Sequence, residues 1–228
     1  MAVAGLVATA AGASEANIKK AFQARFPQGT VESVTRTPFP GLYEVVFDGQ
    51  IAYTDEKMSF VLFGNLYDVR GGAERNLTRE RSGQLAVQTM RKSLDYAFKR
   101  VRGNGRRVLY TFEDPNCPYC KRLHAELAKV NDVTVYTFLV PILGPDSVEK
   151  SRAIWCAKDR AHAWNEVMEK GAVSEGVRNC DVPFEQTLQL SQRFGIRGTP
   201  TIYFADGQFV GGYIPADKIE EGLKAASR

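Results

Sequence analysis

Cys117 and Cys120 stand two residues apart in Cys117-Pro118-Tyr119-Cys120. On a helix that spacing returns the second thiol beside the first, close enough to bridge it or to attack a disulfide formed on it. An apolar run, Val108-Leu109-Tyr110-Thr111-Phe112, leads into the pair, and the chain breaks direction at Pro115. A strand feeding a helix start places Cys117 among unpaired backbone N–H groups at the positive end of the macrodipole, which favours its thiolate near neutral pH. Pro118 suits the first helical turn, where its missing N–H has no partner to lose. The chemistry implied is thiol–disulfide exchange, with Cys117 attacking and Cys120 resolving. Tyr119, between them, is expected to be exposed and within reach of a substrate.

Other chemistries use the same spacing. Zinc requires four ligands, and Cys156 and Cys180 form no second close pair, so no metal and no other cofactor is predicted. A purely structural bridge in so short a loop constrains the unfolded chain little and tends to be strained and reducible. His124, beyond the pair, is a candidate proton shuttle but reads instead as a surface helix residue.

The elements that must position this pair lie on both sides of it. Downstream, Gly198-Thr199-Pro200 precedes an apolar run, Thr201-Ile202-Tyr203-Phe204, and an Asp206-Gly207 turn. A proline opening a strand is tolerated where its N–H is not needed, and the bond before it is open to the cis form. Between the two motifs, Val133 to Val140 reads as a strand, Ser147 to Lys170 as helical, and Phe184 to Phe194 as a second helical stretch. Cys156 and Cys180 bracket part of this helical insertion. Bonded to each other they close a loop of about 25 residues, a contribution on the order of 3 kcal/mol in the chain-entropy model; two free buried thiols are the alternative. The expectation is a bridge, because neither residue has a context that lowers its pKa.

The 228-residue chain carries a formal charge of +4, a balance that requires neither nucleic acid nor membrane as a partner. Residues 1–13 are small, apolar and uncharged, and read as the remnant of a secretory signal or as a disordered tail. Ser14 is placed to cap a helix with Ile18, Phe22 and Phe26 on one face, ended by Pro27. Alternating runs follow from Val31, with Asp48-Gly49 as a type I′ hairpin signal. Met58 to Phe63 and Leu66 to Val69 are expected to continue the sheet. A helix and small sheet of this size bury too little to stand comfortably alone. From Asn76 to Arg102 the pattern turns helical, with Val87, Met90, Leu94, Ala97, Phe98 and Val101 on one stripe among basic residues, and Gly103-Asn104-Gly105 reads as its C-cap and a hinge. The basic stretch lacks a base-reading motif, and no nucleic-acid binding is predicted.

These features together resemble the thioredoxin superfamily. Tyr53-Thr54-Asp55-Glu56, Asn65-Leu66-Tyr67-Asp68-Val69, Cys117-Pro118-Tyr119-Cys120-Lys121-Arg122-Leu123-His124, Ile154-Trp155-Cys156-Ala157-Lys158-Asp159, Cys180-Asp181-Val182, Gly198-Thr199-Pro200 and Gly212-Tyr213 are similar to the periplasmic DsbC/DsbG disulfide isomerases. The resemblance implies an α+β chain. Residues 14–76 form a cystatin-like helix-plus-sheet dimerisation domain, 77–105 a linker helix and hinge, and 106–228 a thioredoxin-like catalytic domain with a helical insertion. It implies that Thr199 and a cis Pro200, with Pro118 and Tyr119, contact the substrate, and that the partners are misfolded disulfide-containing proteins, a DsbD-type membrane reductase and a second copy of the chain. Pro118 departs from the isomerase pattern, which has a small residue there. The readings left open are isomerisation or reduction, oxidation or reduction of one dedicated substrate, and a dimeric holdase.

Overall fold

Asp48 and Gly49 both take positive φ, 49° and 78°, the backbone that a two-residue type I′ turn demands. The computed structural model to which they belong describes residues 10–171 and 179–227, and contacts divide the chain into units Met1–Ser82 and Gly83–Arg228. Of the stretch expected to be a leader remnant, residues 1–9 lie outside the described residues. Helix α1 (Ala10–Arg25) begins at the tenth residue, so Ser14 sits inside the helix rather than capping it, and its hydroxyl donates to the Glu56 carboxylate.

In the first unit, β1 (Val31–Arg36), β2 (Leu42–Phe47), β3 (Gln50–Asp55) and β4 (Leu62–Phe63) form an antiparallel sheet in that order. The turn sets the register, pairing Phe47 with Gln50 and Val45 with Ala52. Ile18 and Phe22 of α1 pack on Val31, Val34, Tyr43, Val45 and Ala52. The expected continuation of the sheet from Met58 and Leu66 is only partly present. Asp55 consumes the first residues after β3 in a turn, its carboxylate accepting from the Ser59 N–H at 2.7 Å, so only Leu62 and Phe63 join the sheet. β5 (Tyr67–Asp68) pairs instead with β6 (Arg75–Asn76).

Helix α2 (Leu77–Lys92) follows, and here the expected long linker helix requires correction. It stops at Lys92, and after a short 3-10 turn residues 97–102 form β7 (Ala97–Arg102), paired antiparallel with β9 (Val133–Leu139) from Ala97↔Phe138 to Arg102↔Val133. A full ladder along the free edge of β9 outweighs the local helical pattern. Val101, assigned to a buried stripe, faces solvent. Gly103-Asn104-Gly105 is then the turn from β7 to β8 (Arg107–Glu113) rather than a hinge between domains, with both glycines at positive φ.

The second unit is a five-stranded sheet in the order β11-β10-β8-β9-β7, built with β10 (Thr201–Phe204) and β11 (Phe209–Gly211). Only β8 and β9 run parallel, and the crossover between them is α3 (Pro118–Leu127). β8 lies at the centre with period-2 faces. Tyr110 and Phe112 pack with Met90, Phe138 and Tyr203 on one side, and Leu109 packs with Leu123, Ile202 and Ile219 on the other. The insertion is two helices, α4 (Pro145–Cys156) and α5 (Arg160–Lys170), split at 157–159, where Asp159 caps α5 by accepting from the His162 N–H at 2.9 Å. Helices α6 (Phe184–Arg193) and α7 (Ala216–Ala225) complete the unit. Among the described residues no helix is long and apolar enough to cross a membrane.

Candidate active site

β8 ends at Glu113 and Asp114 follows it, two fully buried acids that sequence reasoning had left without a role. Asp114 organises the backbone. Its carboxylate accepts from the N–H groups of Asn116 (2.8 Å), Ile142 (2.8 Å) and Leu143 (3.0 Å) and from the Ser147 hydroxyl (2.7 Å). These bonds satisfy a buried charge and fix both the turn into α3 and the loop that opens α4.

Cys117 is the N-cap of α3 and Pro118 its first residue. The Cys117 N–H bonds the Asp114 carbonyl at 3.1 Å, which pins the cap to the end of the strand. The Cys117 thiol is held far below the ordinary range, at about 5. The leading cause is the hydrogen bond that the Cys120 thiol donates to it. Thr199 and the N–H groups of Cys120 and Tyr119 add to this, against a desolvation cost of opposite sign. When protonated, Cys117 donates instead to the Thr199 carbonyl, 3.2 Å away. Cys120 is shifted the other way. Burial, its bond to Cys117 and the negative charge of Glu113 push its thiol far up.

The structure brings the predicted site residues to one place. The Thr199–Pro200 bond is cis, the Thr199 carbonyl oxygen lies 3.2 Å from the Cys117 sulfur, and the Pro200 carbonyl accepts from the Gly212 N–H at 2.7 Å. Thr199 and Pro200 also border a groove walled by Phe194, Tyr203 and Phe209. Tyr119 is 54% exposed, and Pro118 beside it is exposed as well.

Cys156 and Cys180 are joined in a disulfide with Cα atoms 5.7 Å apart. This bridge lies close to the reactive pair. Cys117 and Cys120 share an apolar cluster with Phe98, Ile154, Trp155 and Trp164, and Cys180 packs against it. The insertion therefore forms one wall of the site. His124 also differs from its expected place on the surface. It lies half-buried, with Nδ1 3.5 Å from Arg100 Nη1 and Nε2 3.3 Å from Glu169 Oε1.

Arg100 and Glu113 form a buried ion pair, Nη2 to Oε1, at 3.0 Å. The same Oε1 accepts from Thr111 Oγ1 at 2.8 Å, while Oε2 has no hydrogen-bond partner. Burial raises the Glu113 pKa, and the Arg100 charge opposes that rise. A signal for Glu113 was present in the sequence. Period-2 alternation along β8 puts it on the inner face with Leu109 and Thr111, one step before the turn into the cysteines. Arg100 gave no such signal while its segment read as helix.

Comparisons with known proteins agree with this architecture. A family described as a thioredoxin-like domain matches residues 94–227, and one described as the disulfide bond isomerase protein N-terminal domain matches residues 9–79. A probable thiol:disulfide interchange protein DsbC of Bordetella parapertussis is 45% identical over 207 residues, covering 90% of this chain and 73% of the relative. The thiol:disulfide interchange protein DsbC of Escherichia coli is 30% identical over 190 residues, covering 82% and 78%. Among solved structures, a disulfide interchange protein from Neisseria gonorrhoeae superposes with a TM-score of 0.56 at 44% identity, over 59% of this chain and 98% of that one. Proteus mirabilis ScsC in a transitional conformation shares the fold at 24% identity, with a TM-score of 0.56.

Proposed function

This chain belongs to the DsbC family of thiol:disulfide interchange proteins, and from that premise we propose that Cys117 is its nucleophile and Cys120 its resolving thiol. The carrying observation is their opposite ionisation: one thiol is held down to about 5 and the other far up, one turn apart on the same helix. In the first step the Cys117 thiolate attacks a substrate disulfide. A Cys117–substrate bond forms, and the displaced substrate sulfur leaves as thiolate. In the second, Glu113 takes the Cys120 proton on its free Oε2. The Cys120 sulfur then attacks Cys117, and the substrate sulfur departs with the electron pair of the broken bond. The substrate is reduced and the Cys117–Cys120 pair oxidised. Thr199 and cis Pro200 hold the substrate strand beside Cys117, and Pro118 and Tyr119 form the exposed rim that it meets.

The substrates are disulfide-containing proteins with non-native bridges, and the compartment is the periplasm, where such bridges arise. A membrane thiol reductase of the DsbD type returns the pair to its reduced form. The chain acts as a homodimer joined through residues 14–76. The short edge strand β4 and the exposed Phe60, Leu62 and Phe63 support that assembly, because they leave apolar surface on a small unit.

The test is refolding of a scrambled multi-disulfide protein in a glutathione buffer. Cys117→Ser is expected to abolish rearrangement, and Cys120→Ser to retain part of it while mixed disulfides accumulate. Retention of activity in the Cys117 variant sinks the assignment. The low Cys117 pKa also favours a second reading, in which the pair is an oxidant. A stabilised thiolate destabilises the disulfide form, placing the potential above the roughly −270 mV of thioredoxin. Thiol trapping in cell extract separates the two, since an isomerase is found mostly reduced and an oxidant mostly oxidised.

A further inference from the structure

The rim of the site carries a cation that the exchange chemistry leaves unused. Arg122 is exposed on α3, five residues after Cys117 and so about 7.5 Å further along the helix axis. Its guanidinium lies over two rings, 5.8 Å from the centroid of Tyr119 and 5.2 Å from that of Tyr213. Both distances are within cation–π range. Each ring belongs to one side of the site. Tyr119 stands between the two cysteines, three residues before Arg122 and on the same helical face. Tyr213 follows Gly212, whose N–H donates to the Pro200 carbonyl at 2.7 Å and whose φ of 108° suits glycine alone. Tyr213 also packs on the cluster of Leu123, Ile202 and Ile219, which anchors this ring to the sheet.

We infer that Arg122, seated on Tyr119 and Tyr213, is a subsite for a substrate carboxylate, the side chain of an Asp or Glu near the cysteine that Cys117 attacks. The inference rests on Cys117 as the nucleophile. A guanidinium presents five donors and no acceptor, and it pairs with a carboxylate through two parallel hydrogen bonds. On Arg122 those donors are free, because among the described residues no carboxylate or carbonyl bonds to them. The acid one turn on, Glu126, is engaged elsewhere, accepting from Lys129 Nζ at 2.7 Å and from the Ala216 N–H at 3.0 Å. The two rings limit where the side chain can go, so little rotamer freedom is lost when a carboxylate binds. An extended substrate strand rises about 3.3 Å per residue, so an acid two or three residues from its cysteine lies about 7–10 Å away. That span matches the offset of Arg122 from Cys117. Arg197 is a second exposed cation without a carboxylate partner among the described residues, and it borders the groove at Thr199 and Pro200. No ring seats it, so it adds positive field without a fixed partner.

The probes are synthetic peptides, each with one cysteine capped by thionitrobenzoate and with Glu, Gln or Lys placed in turn at each nearby position. Cys117 of the reduced full-length chain attacks the peptide sulfur. The Cys117–peptide bond forms, the bond to the cap breaks, and thionitrobenzoate leaves with the electron pair and is counted by its absorbance. Each rate is divided by that of the same peptide with mercaptoethanol, which removes the peptide's own reactivity. At the best position the Glu peptide is expected to react about two- to fivefold faster than the Gln peptide, the scale of an exposed ion pair, with the Lys peptide slowest. The preference should shrink between about 0.01 M and about 1 M salt, as the screening length falls from about 30 Å to about 3 Å. In Arg122→Gln the Glu-to-Gln ratio should fall to unity, and Arg122→Lys, which keeps the charge without the planar fork, should hold part of it. Tyr213→Phe should keep the ratio and Tyr213→Leu should lower it. A general loss of activity or of folded protein cancels in the ratio. A wild-type ratio of unity, a preference that survives Arg122→Gln, a ratio unmoved in Tyr213→Leu, or a loss in Arg197→Gln as large as in Arg122→Gln overturns the inference. Release that persists undiminished in Cys117→Ser removes the nucleophile reading, and the inference with it.

Discussion

Replacing Cys120 with alanine should raise the Cys117 pKa without returning it to the free-cysteine range. At about 5, Cys117 is roughly 99% thiolate at pH 7, whereas a free cysteine near 8.5 is about 3% ionised. The leading support for that thiolate is the bond from Cys120, and a hydrogen bond to an ion contributes about 1.5–3 kcal/mol, or about one to two pH units. Thr199 and the two helix-start N–H groups remain in the variant, so the new value should settle between the two limits. The assay is thiolate absorbance in the reduced protein as a function of pH, with Cys117→Ser as the blank. A variant still titrating at about 5 refutes the role given to Cys120, and a wild type titrating near 8.5 refutes the helix-start argument altogether. Stability carries the same signature. The folded pKa lies below the unfolded one, so the stabilisation of the reduced protein is full above about 8.5 and is lost as pH falls to about 5. The opposite shift of Cys120 acts only above the unfolded range, so the comparison of reduced with oxidised protein belongs between those limits.

Removing the insertion disulfide with a Cys156→Ala/Cys180→Ala double substitution should cost on the order of 3 kcal/mol, from its sequence separation of 24, read by chemical denaturation. Mild reduction followed by mapping should open the Cys117–Cys120 bridge while this one survives. Asp114→Ala strands three backbone N–H groups and should destabilise the chain by about 3 kcal/mol or more, measured by chemical denaturation. Phe63→Glu places a charge on the exposed edge strand and should shift the full-length chain from dimer to monomer in sedimentation at micromolar concentration. A wild-type chain that sediments as a monomer removes the basis of that expectation.

Local chemistry made some of this legible in the sequence. Asp48-Gly49 specifies its turn whatever surrounds it, and a proline after Cys117 marks a helix start by covalent geometry alone. What sequence hid was set by distant partners. Residues 97–102 carry a helical stripe that continues from α2, and only the free edge of β9 converts them to a strand. That error concealed Arg100, because an arginine on a helix reads as solvated, while on β7 it points at Glu113. Asp114 was overlooked for a related reason. Next to a proline it reads as a loop residue, and its partners at Ile142, Leu143 and Ser147 lie well beyond any local window. His124 looked like a surface residue until α5 was folded against it.

In the mechanism proposed for Cys117 and Cys120, the depth at which α3 buries Cys120 also acts as a clock. While that sulfur keeps its proton, a captured substrate stays tethered through Cys117, and its own cysteines have that interval to find a different partner. If one of them displaces Cys117, the substrate leaves rearranged, the protein leaves reduced, and no net electrons have moved. If Cys120 fires first, the substrate leaves reduced and the protein must be recharged before it works again. The dwell time divides the traffic between these two exits, and it is set by groups that never touch the substrate.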